Sequence, residues 1–371
     1  MINATTLTRL VTDKSDIGAT RLETIAAPAL AQGEASLAIE AFALTANNIT
    51  YAAFGDAMRY WDFFPTGQTG WGLMPVWGFA TVASSTVPEL PVGERFYGYF
   101  PMAERLVVQP GRFSERGFYD LTPFRQPLPS PYNQYTRCST DPAYVPELED
   151  LQMLLRPLFF TSYMLADFLS DNAFFGARQV AISSASSKTA YGTAFGLKAM
   201  KDAPKLIGLT SKSNRAYVLK LGLYDAVLTY DELGQLAADV PTTYVDFAGT
   251  PALRQGLHAH LGKALVHDCY AGSAANVDYL TDADRYDPVP QPFFAPNQIR
   301  KRNKDWGPEV LASRFGETQR RFLTAVSAPE NRWMTIVKSA GFATAADIVR
   351  TLRDSGGKAD EGYVISLAPA R

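Results

Sequence analysis

The stretch "QVAISSASSKTAYGTAFGLKAM", residues 179–200, decides the fold. It reads as a short apolar strand, a turn of small residues and a helix. In a doubly wound α/β sheet a dinucleotide is held at this kind of turn, where backbone N–H groups and the positive end of the helix meet the pyrophosphate. Glycines usually make the turn, because the chain bends sharply and the phosphate comes close. Aligned on the strand, the three glycine positions of GxxGxxG fall on Ser184, Ser187 and Ala190. All three are small, and Ser184, Ser186 and Ser187 carry hydroxyls that can donate to phosphate oxygens. Lys188 adds charge, and Thr189 is a candidate helix cap.

Downstream of residue 151, helices and strands alternate. Helices are expected near 151–170, 189–202, 213–221 and 251–261, and between them lie "RQVAIS", "KLIGLT", "AVLTY", "TTYVDFAG" and "ALVHDCYAG". These strands are apolar runs without alternation, as in a parallel sheet buried on both faces. The second strand runs into "SKSNR". An acid there would select NAD through the ribose 2′-hydroxyl, and a base accommodates the 2′-phosphate of NADP. Ser211, Lys212 and Arg215 form a hydroxyl and two cations suited to a phosphate dianion, with a solvated basic turn as the plain alternative.

Upstream, "ASLAIEAFAL", "WGFATVASS" and "ERFYGYFPMAERLVVQP" read as strands between Pro and Gly turns, which predicts a barrel-like β domain. The Pro- and Tyr-rich segment 126–148 is either a lid or a surface connection. At 371 residues the chain is long enough for two domains, with 47% apolar and 19% charged residues. A net charge of −2 gives no electrostatic reason for a nucleic-acid or membrane partner. The two cysteines, Cys138 and Cys269, make neither a disulfide framework nor a zinc spacing. "LQMLLRPLFFTSYMLADFL" carries Arg156 and Asp167 and reads as a buried helix. No apolar leader opens the chain, so a cytoplasmic protein is expected.

The order of these signals resembles the medium-chain dehydrogenase/reductase superfamily, in its zinc-free, quinone-oxidoreductase-like branch. The matching segments are "IEAFALTANNIT", "PVWGFATVASSTVPELPVGERFYGYFPMAERLVV", "PLFFTSYML", "LTSKSNRAYVLKLGLYDAVLTYDE", "VDFAG", "GKALVHDCYAG" and "GKADEGYVISL". The resemblance implies a β-rich GroES-like barrel domain plus a Rossmann-type doubly wound domain. It divides the chain into 1–150, 151–310 and a return to the first domain over 311–371. Zinc-dependent members place ligands where this chain has Thr45 and Trp77, with Gly78 beside them, so no catalytic zinc is expected. The segments 111–150 and 273–310 are longer than in that family.

The resemblance further implies NADP(H) as cofactor, with the nicotinamide between the domains near Asn47, Asn48 and Thr161. Ala248, Gly249 and Tyr270, at strand ends, would also contact the cofactor. A metal-free reduction of a small apolar or aromatic carbonyl, enone or quinone needs a proton donor. Tyr60 ranks first, followed by Tyr51, Asn47 and Asn48, because a neutral phenol can donate to a developing alkoxide or enolate. A non-catalytic sensor or scaffold on the same fold is the alternative. Relatives pair edge strands, which implies a homodimer. His258 and His260 read as surface or domain-edge residues, and His267 as a satisfied core histidine, with a place near the cofactor as the alternative. Arg300, Lys301, Arg302 and Lys304 read as a solvated face or as reaching a phosphate.

Overall fold

The computed structural model describes residues 6–271 and 285–367, so the first part of the long 273–310 segment lies outside the described residues. It divides into two units, residues 1–154 with 335–371 and residues 155–334.

The first unit is the β-rich one. β1 (Thr6–Asp13) and β2 (Thr20–Ala26) form an antiparallel pair that the sequence expectation lacks. β3 (Ala35–Leu44) leads into helix α1 (Ala46–Ala53). After the short β4 (Trp71–Gly72), strands β5 (Pro75–Ser85), β6 (Arg95–Pro101) and β7 (Arg105–Val108) extend the sheet on β3. Alternation explains the layer: Leu37, Ile39 and Phe42 of β3 meet Val76, Ala80 and Val82 of β5 and Phe96 and Phe100 of β6 in one core. At Gly78 a Cβ would sit 2.2 Å from the Ala41 carbonyl oxygen, so only glycine lets β3 and β5 approach there. β1 closes onto this sheet through Leu10 N–H to the Met102 carbonyl and Glu104 N–H to the Thr8 carbonyl.

Segment 111–150 is built into the β-rich unit. It supplies β8 (Pro110–Ser114), β9 (Gly117–Asp120) and β10 (Gln134–Arg137), which continue the sheet beyond β6. Leu128, Asn133, Tyr135 and Cys138 of the Pro- and Tyr-rich stretch are buried.

In the second unit α2 (Glu149–Asp171) precedes the strands β11 (Gln179–Ile182), β12 (Lys205–Thr210), β13 (Ala226–Thr229), β14 (Thr242–Asp246), β15 (Leu265–Tyr270) and β16 (Gln291–Pro292). The sheet is parallel in the order β13-β12-β11-β14-β15-β16. That order reverses at β11, the switch point where doubly wound folds bind ligands. Helices α3 (Lys188–Lys198), α4 (Arg215–Leu221) and α5 (Pro251–Leu261) make the crossovers. Among the described residues no helix is long and apolar enough to cross a membrane.

α6 (Ala295–Asp305) and α7 (Pro308–Ser327) follow. Phe322 of α7 stacks on Phe159 of α2 at 4.0 Å, which keeps residues 311–334 with the second unit. The basic run on α6 serves structure. Arg302 is buried and pairs with Asp167 at 2.6 Å and Asp171 at 3.0 Å, and Lys301 pairs with Asp171 at 2.7 Å. The chain returns to the first unit with β17 (Thr335–Ala340), α8 (Gly341–Ser355) and β18 (Glu361–Ser366). β17 is a parallel edge strand that the sequence expectation also lacks.

Candidate functional site

The turn after β11 is built to hold its shape. Ser184 takes a left-handed backbone, φ 49°, the conformation a glycine would supply at that position. Its N–H donates to the Tyr230 hydroxyl at 3.2 Å, and the Ala185 N–H donates to the Leu209 carbonyl at 3.0 Å. Ser187, not Thr189, caps α3: its hydroxyl accepts from the Ala190 N–H. Thr189 instead offers its carbonyl to the Ser162 hydroxyl at 2.8 Å, which ties α3 to α2. The close helix packing that a third glycine usually provides has moved to Gly192, where a Cβ would lie 2.6 Å from the Ser162 hydroxyl. Lys188 opens α3, half-buried. Thr161 is half-buried on α2, in the second unit, whereas Tyr60 and Asn48 belong to the first.

The turn after β12 lies against this one. Asn214 donates to the buried Ser186 hydroxyl at 3.1 Å, a link absent from the sequence reading. Ser211 shares a hydrogen bond with Ser213 at 2.9 Å. Both cations carry acidic partners from the segment after β13. Lys212 meets Asp231 at 2.5 Å, with both side chains mostly exposed, and the pair holds the ammonium more firmly protonated. Arg215 meets both oxygens of Glu232 through one nitrogen, at 2.8 and 3.0 Å. Glu232 also accepts the Thr229 N–H, and its carboxyl titrates below the usual range because of that bond and Arg215.

Beyond β14 the expected cofactor contacts turn inward. The Ala248 and Gly249 N–H groups donate to buried Asp246 at 3.0 and 3.1 Å. The Ser183 hydroxyl donates to the same carboxylate at 2.7 Å and accepts from the Phe247 N–H. Buried Arg254 joins Asp246 at 3.1 Å to Asp268 at 2.9 Å and lies over the ring of Tyr270. His258 is therefore no surface residue: its Nε2 faces Asp268 at 2.9 Å, and its Nδ1 faces the Asp287 carbonyl at 3.3 Å. Burial raises the Asp268 pKa, and the His258 and Arg254 contacts oppose it. His260 bonds the Leu236 carbonyl at 2.7 Å. His267 stacks on Phe175 at 3.6 Å, but its Nε2 is buried without a hydrogen-bond partner, so it is a core histidine left partly unsatisfied. A turn at Ala173, Phe174 and Phe175, all left-handed, presents Phe175 to it.

The first unit holds an aromatic site. Arg59, left-handed at φ 60°, starts a single 3₁₀ turn at Tyr60–Phe63 that buried Trp61 and Phe63 anchor. Half-buried Tyr60 then meets Tyr132 hydroxyl to hydroxyl at 3.3 Å, and its ring lies 4.7 Å from that of Tyr51. Trp77 Nε1 donates to the Tyr51 hydroxyl at 3.1 Å. Trp77 bonds Tyr51, and Thr45 caps α1. Asn48 closes the capping box: its oxygen accepts the Thr45 N–H at 2.8 Å and its amide donates to the Pro75 carbonyl at 2.9 Å, which fits a structural role better than a catalytic one. Burial raises the Tyr60 pKa, and the Tyr132 hydrogen bond works against that. Tyr132 comes from the 111–150 segment, where Arg125 fixes it. This fully buried guanidinium pairs with Asp120 at 2.7 Å and donates to the Tyr132 carbonyl at 3.0 Å.

The family model described as "Protein of unknown function (DUF2855)" matches residues 42–357. No curated protein matches the chain. Solved structures do. CurA from Vibrio vulnificus, in complex with NADPH, is 14% identical with a TM-score of 0.60, covering 98% of this chain and 100% of its own. A quinone oxidoreductase from Coxiella burnetii is 14% identical with a TM-score of 0.54, covering 98% and 100%. The CurK enoyl reductase is 10% identical with a TM-score of 0.55, covering 98% and 99%. At these identities the likeness establishes the fold alone, a β-rich domain with a parallel doubly wound sheet domain, as expected from the sequence. On that fold, the chain belongs to the family described as Protein of unknown function (DUF2855).

Proposed function

We propose that this chain is an NADP(H)-dependent, metal-independent oxidoreductase that reduces an enone, quinone or carbonyl compound by hydride transfer. One observation carries the reading: the serine turn at the start of α3 and the Ser211–Lys212–Arg215 turn stand at the carboxyl ends of adjacent parallel strands, joined by Asn214 and Ser186. The residues fit a dinucleotide. Left-handed Ser184 gives the pyrophosphate turn its bend. The Lys212–Asp231 pair is exposed and so contributes little, and a phosphate dianion can take its place. Arg215 meets Glu232 through one nitrogen only. A reduced nicotinamide, when bound, supplies hydride. Tyr60, kept protonated at neutral pH, supplies the proton. The named activities of the structures above support the class.

A second reading, a nucleotide-binding protein without turnover, is favoured by the inward-turned N–H groups of Ala248 and Gly249. Tryptophan fluorescence titrated with NADPH and with NADH tests the first reading. NADPH should bind more tightly. Lys212→Ala with Arg215→Ala should weaken NADPH at least about tenfold and leave NADH unchanged. Binding of neither nucleotide, or equal binding of both, overturns the NADP(H) reading. Tight NADPH binding without oxidation across a panel of quinones and enones would favour the second.

A further inference from the structure

We infer that Glu232 is a specificity-determining residue: it holds Arg215 as an internal anion and so limits how far the site prefers NADPH over NADH. This rests on the reading of Ser211, Lys212 and Arg215 as the turn that meets the 2′-phosphate. All the residues concerned lie in the second unit. Strands β12 and β13 pair in parallel up to Thr210 and Thr229, so the segments that leave them start side by side. One carries Lys212 and Arg215, the other Tyr230, Asp231 and Glu232.

Each residue of the second segment engages a polar group of the two nucleotide turns. The Tyr230 hydroxyl accepts the Ser184 N–H at 3.2 Å, Asp231 meets Lys212 at 2.5 Å, and Glu232 meets Arg215 at 2.8 and 3.0 Å. Two cations therefore face two carboxylates, and their charges cancel.

The two acids differ in how readily they yield. Asp231 and Lys212 are 64% and 78% exposed, so water screens their pair and a phosphate displaces the carboxylate at little cost. Glu232 is only 26% exposed and is anchored twice, because besides Arg215 it accepts the Thr229 N–H at 2.9 Å. Swinging away from Arg215 would give up that backbone bond as well. A phosphate that instead shares Arg215 with Glu232 stands beside a fixed negative charge. Its best grip, two parallel guanidinium N–H bonds, is weakened because both Glu232 oxygens already take Nη1. A ribose 2′-hydroxyl meets no such conflict, since a carboxylate accepts from it. The site thus offers cations to NADPH and an acid to NADH, the acid coming from the turn after β13 rather than the one after β12.

Glu232→Gln removes the charge and keeps an oxygen for the Thr229 N–H, so it should fold, with an unchanged urea midpoint as the check. In full-length protein, followed by tryptophan fluorescence, Glu232→Gln should tighten NADPH about tenfold and NADH not at all. Asp231→Asn should tighten NADPH by less than about threefold. In an Arg215→Ala background the gain from Glu232→Gln should shrink to about threefold or less. NADPH binding unchanged or weaker in Glu232→Gln, equal tightening of both nucleotides, or a larger gain from Asp231→Asn overturns the role of Glu232. A full gain without Arg215 overturns it too, because Glu232 then acts on the phosphate and not through Arg215. Lys212→Ala with Arg215→Ala reports separately on the turn. If that pair leaves the NADPH Kd unmoved, the phosphate reading itself falls. If it weakens NADPH while Glu232→Gln does nothing, only the role of Glu232 is lost.

Discussion

Ser184 concentrates the chemistry of the β11 turn in one residue. A serine at φ 49° gives up about 1–2 kcal/mol relative to an ordinary backbone, yet the turn is held by the Tyr230 and Leu209 bonds rather than by the serine side chain. Ser184→Gly should therefore leave those bonds intact and stabilise the fold by about 1 kcal/mol in urea unfolding. A loss of stability would mean that the hydroxyl itself is holding the turn. The offset of Ser184 and Ser187 from the strand was legible because strand, turn and helix run in one local stretch. The assignment of the cap was not, since Ser187 and Thr189 differ only in which residue leaves the helical backbone. Thr45 and Asn48 were more legible than the expectation made of them. Their three-residue spacing before a helix is the pattern of a capping box, and it accounts for both polar ends of Asn48.

Secondary elements bring together what no single segment displays. Asp246 ends β14 and Asp268 lies two residues before the end of the neighbouring β15, and Arg254 and His258 lie one turn apart on α5, between those strands in sequence. The apolar runs announced the strands. The acid inside each run was the overlooked sign, because a carboxylate in a strand buried on both faces demands a buried cation. This cluster clamps the Phe247–Gly249 turn. Arg254→Met removes the cation and leaves Asp246 and Asp268 facing each other across a dry gap. It should cost about 3–5 kcal/mol of stability in chemical denaturation, and the turn should lose its amide-exchange protection first. A cost under about 1 kcal/mol would mean that the carboxylates are neutralised by protons rather than by Arg254.

At the scale of the whole chain, the order of elements was readable and the boundaries were not. The switch-point sheet follows from uninterrupted apolar strands, whereas β2 and β17 are half-exposed edge strands with weak patterns, and β1 lies buried between β2 and β4. Tyr132 was invisible because its partners lie far away in sequence, near residues 51, 60 and 77.

Stability against pH is a property of the whole fold, and two adjacent residues pull it in opposite directions. Burial lowers the His267 pKa from 6.5 to about 4, so between those values the unfolded chain binds more protons than the folded one. The stability linked to His267 is thus complete above pH 6.5 and is lost as pH falls toward about 4. Burial raises the Asp268 pKa, so there the folded chain binds the extra proton and stability is lost as pH rises through the acid range. The net slope of the wild-type protein is therefore shallower than either group alone would give, and a bare acid titration will not separate them. His267→Phe does. It keeps a ring against Phe175, removes a buried nitrogen that has no hydrogen-bond partner, and leaves Asp268 in place. Thermal unfolding from pH 7 down to about 4.5 should fall less steeply in the variant than in wild type. If both proteins lose stability in parallel across the window, His267 titrates alike in the folded and unfolded chain, and the stack on Phe175 does not keep it neutral.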